Sequence, residues 1–155
     1  MIKKSNTLQK IKSKIINLCI KDEKCIHQIL QKLRKYGCNE INSMKIIQEL
    51  IQQDYINEER YSKCFFSGKF KMKKWGKRKI IFELKKKKIS KKNINIGLAE
   101  ISDEEYLDTI KFLIKKKNSL IRNDLGNLER KRKILAFMSQ KGYEYNLVYE
   151  NLDNL

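Results

Sequence analysis

Proline is absent from all 155 residues, and only six glycines, at positions 37, 68, 76, 97, 126 and 142, punctuate the chain. Nothing therefore enforces helix breaks, and the alternation of β-branched residues between turn clusters that marks strands is missing as well. Apolar runs are only a few residues long, too short for a transmembrane span, so no membrane association is expected. The start, residues 1–13, carries lysines but neither a continuous apolar stretch nor a small-residue cleavage site. No secretory signal is expected there, and the expected location is cytoplasmic. Cys19, Cys25, Cys38 and Cys64 show no two-residue spacing to one another and read as buried thiols rather than disulfides. The single histidine, His27, is two residues from Cys25 and so points away from it on a helix. A zinc site needs three or four converging ligands, so neither metal nor cofactor is expected. A glycine-rich phosphate loop is lacking, and His27 has no recognisable nucleophile partner. Glu58-Glu59 and Glu104-Glu105 read as acidic helix starts, which leaves no catalytic residue and no expectation of an enzyme.

What the chain has in excess is positive charge, concentrated in one place. Residues 1–68 carry 13 basic and 7 acidic groups, residues 69–92 carry 13 and 1, and residues 93–155 carry 10 and 10. Two thirds of the net +18 thus lies in 24 residues whose only acid is Glu83. Phe70, Trp75, Ile80, Ile81, Phe82 and Leu84 interleave with that charge, which marks a folded basic surface rather than a tail. The expected partner is a polyanion: nucleic acid, or an acidic protein assembly bound to it.

Apolar residues recur at helical spacing along the whole chain. The stripes are Leu8, Ile11, Ile15, Leu18; Ile26, Ile29, Leu30, Leu33; Met44, Ile47, Leu50, Ile51; Tyr61, Cys64, Phe65, Gly68; Ile80, Ile81, Leu84; Ile94, Leu98; Leu107, Ile110, Leu113, Ile114; Ile134, Leu135, Met138; and Leu147, Val148, Leu152. They predict nine short helices and an all-α fold. Grouped in threes, they expose an internal repeat. Ile29-Leu30-x-x-Leu33 stands four residues before Gly37, Ile80-Ile81-x-x-Leu84 four before Lys88, and Ile134-Leu135-x-x-Met138 four before Gly142. Asn57-Glu58-Glu59-Arg60-Tyr61 matches Ser102-Asp103-Glu104-Glu105-Tyr106, each an N-cap followed by acids and an inward aromatic. Three units are expected, at 1–56, 57–101 and 102–155. A three-helix unit of this size cannot bury its apolar faces alone, so the units are expected to stack into an elongated, curved array.

Within the basic unit, Trp75-Gly76 falls between two helices, where the tryptophan is expected to wedge and the glycine to let the backbone turn. On the helix that follows, Ile80, Ile81 and Leu84 point inward while Lys77, Arg78, Lys79, Lys85 and Lys86 form an exposed edge. Phe82 lies nearly opposite Ile80 and is expected to pack against a neighbouring unit. Together with Lys69, Lys73 and Lys74, that edge is the candidate binding face, with Tyr61, Trp75, Gly76, Ile80 and Leu84 holding it. Arg60 joins it and, with Arg78, ranks above the lysines, because a guanidinium can fork onto a phosphate or carboxylate.

The order of segments resembles the RecX family of bacterial recombination regulators. The residues that carry the resemblance are Leu30-x-x-Leu33-x-x-Tyr36-Gly37; Leu50 to Ile56 running into Asn57-Glu58-Glu59-Arg60-Tyr61-Ser62; Lys74-Trp75-Gly76-Lys77-x-Lys79-Ile80-x-x-Glu83-Leu84; and Arg130-Lys131-x-Lys133-x-x-x-x-Met138-x-x-x-Gly142-Tyr143. Two positions depart from the family pattern: Asn57 stands where aspartate is common, and Lys88 where glycine is usual. The resemblance implies tandem three-helix repeats. It also implies a modulator, not a catalyst, that lodges in the groove of the RecA nucleoprotein filament and restrains RecA in recombination, DNA repair and the SOS response; a monomer is the default expectation. The alternative is a helical module that binds single- or double-stranded DNA, or RNA, directly through its basic middle repeat.

Overall fold

The computed structural model describes residues 2–153, with side chains from position 5 onward. Met1, Asn154 and Leu155, at the ends of the first and third expected units, lie outside the described residues. Nine helices and no strand occur among the described residues: α1 (Ile2–Lys21), α2 (Ile26–Lys35), α3 (Glu40–Gln52), α4 (Glu58–Lys73), α5 (Lys77–Lys86), α6 (Lys91–Leu98), α7 (Asp103–Ser119), α8 (Asn127–Lys141) and α9 (Tyr145–Glu150). None is long and apolar enough to cross a membrane.

The internal repeat is visible in how α2, α5 and α8 bury and end. Ile29 and Leu33, Ile80 and Leu84, and Ile134 and Met138 are all fully buried. Each helix then closes on a left-handed residue, Gly37 at φ 74°, Lys88 at φ 57° and Gly142 at φ 91°. The residue after it donates its N–H back to the last buried carbonyl: Cys38 to Leu33 at 3.0 Å, Ile89 to Leu84 at 3.1 Å, Tyr143 to Met138 at 3.1 Å. These are three copies of one helix-terminating motif. Lys88 keeps the left-handed geometry without glycine and so carries backbone strain.

Side-chain caps start the flanking helices. Asn39, Asn57, Ser90 and Ser102 accept the backbone N–H of Asn42, Arg60, Asn93 and Glu105 at 2.8, 2.9, 3.2 and 3.2 Å. The closest helix pair is α4 with α6, where Gly97 lies under Ser62 and Phe66. A Cβ on Gly97 would come within 2.5 Å of Ser62 Oγ.

Packing differs from expectation in several places. On α3, Met44 and Ile51 face solvent while Ser43, Ile46, Ile47 and Leu50 face inward. On α4, Cys64 is exposed and the buried set is Tyr61, Ser62, Phe66 and Phe70. Phe82 packs against no neighbouring unit and is 60% exposed, with Lys86 Nζ 5.6 Å from its ring centre. Of the four thiols only Cys25 is buried. Most consequentially, the core is not shared equally. α1–α3 enclose their own cluster, built on Ile11, Ile15, Ile29, Leu33, Ile46, Ile47, Leu50 and Ile56. α4–α9 share a second, continuous cluster that takes in, from the first unit, only Cys25 at the start of α2. The accessible surface is 10628 Å², against about 8,200 Å² for a compact monomer of 18.6 kDa, as suits units set in a row.

Candidate polyanion-binding face

The face begins on α4, where Phe65, Lys69 and Lys73 recur every four residues along one edge. Lys74, left-handed at φ 54°, reverses the chain, and Trp75 N–H bonds the Lys69 carbonyl at 3.2 Å. Trp75 is thereby laid beside Lys69. It is half-buried against the core, with Lys69 Nζ 5.0 Å and Lys79 Nζ 4.5 Å from its ring centre. Lys69 Nζ also stands 5.3 Å from the Phe65 ring.

From Lys79 the pattern crosses to α8. Lys79 Nζ reaches the Gln140 carbonyl at 3.4 Å, and Lys141 Nζ reaches the Lys73 carbonyl at 3.1 Å. Phe137 then lies between two further lysines, Lys141 Nζ 5.7 Å and Lys117 Nζ 5.1 Å from its ring centre. Burial, followed by the nearby charges of Lys79 and Lys116, holds the Lys141 ammonium below its usual pKa. Among the described residues none of Lys69, Lys73, Lys79, Lys116, Lys117 and Lys141 has a carboxylate partner. A strip of alternating rings and uncompensated ammonium groups results. Beside its α4 end lies a cleft of about 460 Å³ lined by Tyr61, Phe65, Lys69, Lys73 and Trp75, with Asp22, Glu23 and Glu83 also on its walls.

What holds the strip together is the contact between α5 and the end of α8. Gly76 N–H bonds the Lys141 carbonyl at 2.7 Å, and Arg78 N–H bonds the Gly142 carbonyl at 3.1 Å. Between them, Lys77 N–H bonds Tyr106 Oη at 3.0 Å, and that hydroxyl donates to Glu144 Oε2 at 2.6 Å. The free donors of the first α5 turn are thus satisfied by the unit that follows. Tyr143 donates its hydroxyl to the Lys74 carbonyl at 2.9 Å, and its ring lies 5.2 Å from that of Tyr106. Burial pushes both tyrosine hydroxyls far above their usual pKa. Gly76 has an ordinary extended backbone, φ −74° and ψ 161°. Its lack of a side chain matters because a Cβ would stand 2.3 Å from the Gly142 carbonyl, so the expected turn is in fact a close approach of two backbones.

The nine basic residues singled out in the sequence fall into separate places. Lys69, Lys73 and Lys79 lie on the strip. Lys77 is folded across the junction, 3.3 Å from Asp103 and 4.4 Å from the Tyr106 ring centre. Lys74 lies with Ser102, Glu104, Glu105 and Asp108 around a different, acidic groove. Arg78 is exposed beside the junction, while Lys85 and Lys86 are exposed at the far end of α5, Lys86 being 3.6 Å from Glu83. Arg60 is committed within the chain: its Nε meets Glu23 at 2.5 Å, and its Nη atoms meet the Asp54 side chain at 3.0 Å and carbonyl at 2.9 Å. The sequence reading passed over Lys116, Lys117, Phe137 and Lys141. An available signal was an aromatic four residues before a lysine: Phe65 and Lys69, Trp75 and Lys79, Phe137 and Lys141 share it.

The His27 ring meets Gln31 Nε2 at 3.3 Å, and among the described residues no group of three or more His, Cys, Asp or Glu could hold a metal ion.

Two family models match the chain, described as RecX, second three-helix domain, over residues 57–98, and RecX, third three-helix domain, over residues 103–152. A "Regulatory protein RecX" of Clostridium acetobutylicum is 28% identical over 147 residues, 93% of this chain and 68% of that protein. One of Lactobacillus gasseri is 28% identical over 133 residues, 83% of this chain but 48% of that protein. The chain therefore spans between about half and about two thirds of the length of these relatives. The crystal structure of RecX from Lactobacillus salivarius superposes with a TM-score of 0.84 at 21% identity, covering 97% of this chain and 99% of that one, which is a likeness of fold.

Proposed function

Because the chain belongs to the RecX family, we propose that it is a regulatory protein that binds RecA filaments on DNA and restrains RecA activity in recombination and repair. The observation that carries the reading is the match of α4–α9 to the second and third RecX domains, the helices that also build the lysine and aromatic strip. A cationic surface without carboxylate partners favours an anionic assembly, and a filament of protein on nucleic acid is one. The protein acts by occupancy rather than by chemistry. Adding it substoichiometrically to RecA on single-stranded DNA should slow ATP hydrolysis and shorten or destabilise filaments seen by electron microscopy. Unchanged turnover and filament length at excess protein would overturn the reading.

A second reading, direct binding of nucleic acid as the primary function, is favoured by the partly open ring of Trp75 between Lys69 and Lys79. The two are separated by whether affinity at physiological salt requires RecA.

A further inference from the structure

We propose that the seam between the first and second units is a binding pocket for a small phosphorylated anion, inorganic phosphate or diphosphate in size, and that its occupant fastens the first unit to the second. The pocket lies between α2, the start of α4 and the end of α5, apart from the strip, and its role goes beyond the regulatory function proposed above.

The internal repeat explains why this seam is open. In the second junction Gly76 and Arg78 donate their N–H groups to the carbonyls of Lys141 and Gly142, which closes α5 on the end of α8. The counterparts of Gly76 and Arg78, 51 residues earlier, are Cys25 and His27; those of Lys141 and Gly142, 54 residues earlier, are Lys87 and Lys88. Neither backbone bond recurs there among the described residues. Cys25 N–H instead bonds Gln28 Oε1 at 3.1 Å, and Ile26 N–H bonds Glu58 Oε1. A Cβ on Gly76 would collide with the Gly142 main chain, and Cys25 and Lys88 both carry one, so the first junction cannot close in the same way. A groove of about 180 Å³ lies there.

His27 and Arg34 line it from one face of α2, Lys87 and Lys88 from the end of α5, and Ile26 and Leu30 add apolar wall. Among the described residues Arg34, Lys87 and Lys88 make no ion pair. Glu58 also lines the groove, but it already accepts the Ile26 N–H. Three unpaired cations facing one carboxylate suit an occupant with more than a single negative charge, as a phosphoryl group has near neutral pH. A guanidinium beside two ammonium groups suits its oxygens. The volume is below the roughly 300 Å³ at which drug-sized pockets begin, which favours one or two phosphoryl groups over a whole nucleotide. Lys88 supplies a second argument, since it holds a left-handed φ of 57° where the other two units have glycine. Strain of that kind persists where the side chain has a use. Arg34 belongs to the first unit and Lys87 and Lys88 to the second, so an anion held by all three binds only while the units are docked.

The probe is inorganic diphosphate, titrated by calorimetry into the whole chain at pH 7 and low salt without magnesium. Arg34→Gln with Lys87→Gln should weaken binding about 25-fold, at about fivefold for each exposed ion pair lost. Lys88→Gly should weaken it about fivefold, even as it relieves backbone strain. Glu58→Gln, which keeps an acceptor for Ile26 and removes the opposing charge, should tighten it. Lys117→Gln with Lys141→Gln, on the strip, should bind like the parent. Native-state hydrogen exchange at about 100 times the dissociation constant should slow the opening of α1–α3 by up to about 100-fold and leave α4–α9 unchanged. Groove variants that bind like the parent, a strip variant that loses as much as they do, or exchange slowed equally in both cores would each overturn the pocket. An oligodeoxythymidylate that displaces diphosphate at equal phosphate concentration would also overturn it, by assigning the groove to a nucleic-acid backbone. The RecA assay reads neither diphosphate affinity nor this seam, so either proposal can fail while the other stands.

Discussion

Gly76 and Gly142 meet backbone to backbone, and everything that fixes the third unit against the second passes within a few residues of them. A methyl group on Gly76 must displace the Gly142 carbonyl, which is main chain and cannot rotate away. Gly76→Ala should therefore cost about 2–3 kcal/mol in urea unfolding, as overpacking of a closed contact does. Gly142→Ala meets Lys79 Cβ at 2.3 Å and has a left-handed φ of 91°, so its loss should be larger by about 1–2 kcal/mol. Lys88 offers the converse. It holds a left-handed conformation that glycine holds in the two equivalent helix ends, and Lys88→Gly should raise stability by about 1 kcal/mol. A lower urea midpoint for Lys88→Gly would show that its side chain compensates the strain. The tryptophan next to Gly76 was legible as a junction residue in the sequence. Its half-exposure was not, because aromatic character alone does not say how much of a ring packs.

At the scale of elements, the three middle helices were legible because two independent signals coincided: apolar pairs four residues apart, and a stop four residues later. On α3 and α4 the inward face was read only in part: Ile47, Leu50 and Tyr61 are buried as expected, while Met44, Ile51 and Cys64 are exposed. In both, a serine points inward, Ser43 and Ser62, and a stripe drawn through large apolar residues alone then rotates toward Met44, Ile51 and Cys64. The reason for Ser62 is the glycine it crosses on α6, 35 positions along the chain, which no local pattern reveals. The first two junctions are built alike but on different chemistry. Ile26 N–H, at the start of α2, bonds Glu58 Oε1 at 3.0 Å, and 51 residues on Lys77 N–H bonds the Tyr106 hydroxyl. Burial raises the Glu58 pKa, and the bond from Ile26 offsets part of that. His27, Arg34, Lys87 and Lys88 line the same groove. A raised folded pKa means the folded protein binds the proton more tightly than the unfolded chain. The contribution of Glu58 is then most favourable at low pH and is lost as pH rises through its folded pKa. Glu58→Gln keeps an acceptor for Ile26 without the charge. It should match or exceed the parent in melting temperature at pH 7, with the parent gaining on it as pH falls through the carboxylate range. A parent that instead loses ground on acidification would show that the surrounding cations, not burial, set this carboxylate.

Over the whole molecule, the division of the core decides how the chain comes apart. Periodicity showed three similar units, none expected to bury its apolar faces alone. The distribution of large side chains makes them unequal, since Phe66, Phe70, Tyr106 and Tyr143 join the second and third units while the first closes on its own isoleucines and leucines. What ties the first unit to the rest is narrow and largely polar: Cys25 in the larger core, the Ile26–Glu58 bond, and Arg60 between Glu23 and Asp54. Nearest-neighbour coupling of that kind permits one end of an array to open before the other. Native-state hydrogen exchange should accordingly show α1–α3 opening at a lower free energy than α4–α9, with the slowest amides in α5 and α8. Arg60→Ala removes two partly exposed ion pairs, to Glu23 and Asp54, and one further hydrogen bond, to the Asp54 carbonyl, so its effect on global stability should be about 1 kcal/mol. Its effect on coupling should be the larger one. Exchange in α1–α3 should accelerate in Arg60→Ala while that in α4–α9 stays unchanged. Uniform acceleration in all nine helices would show instead that the two cores unfold as one.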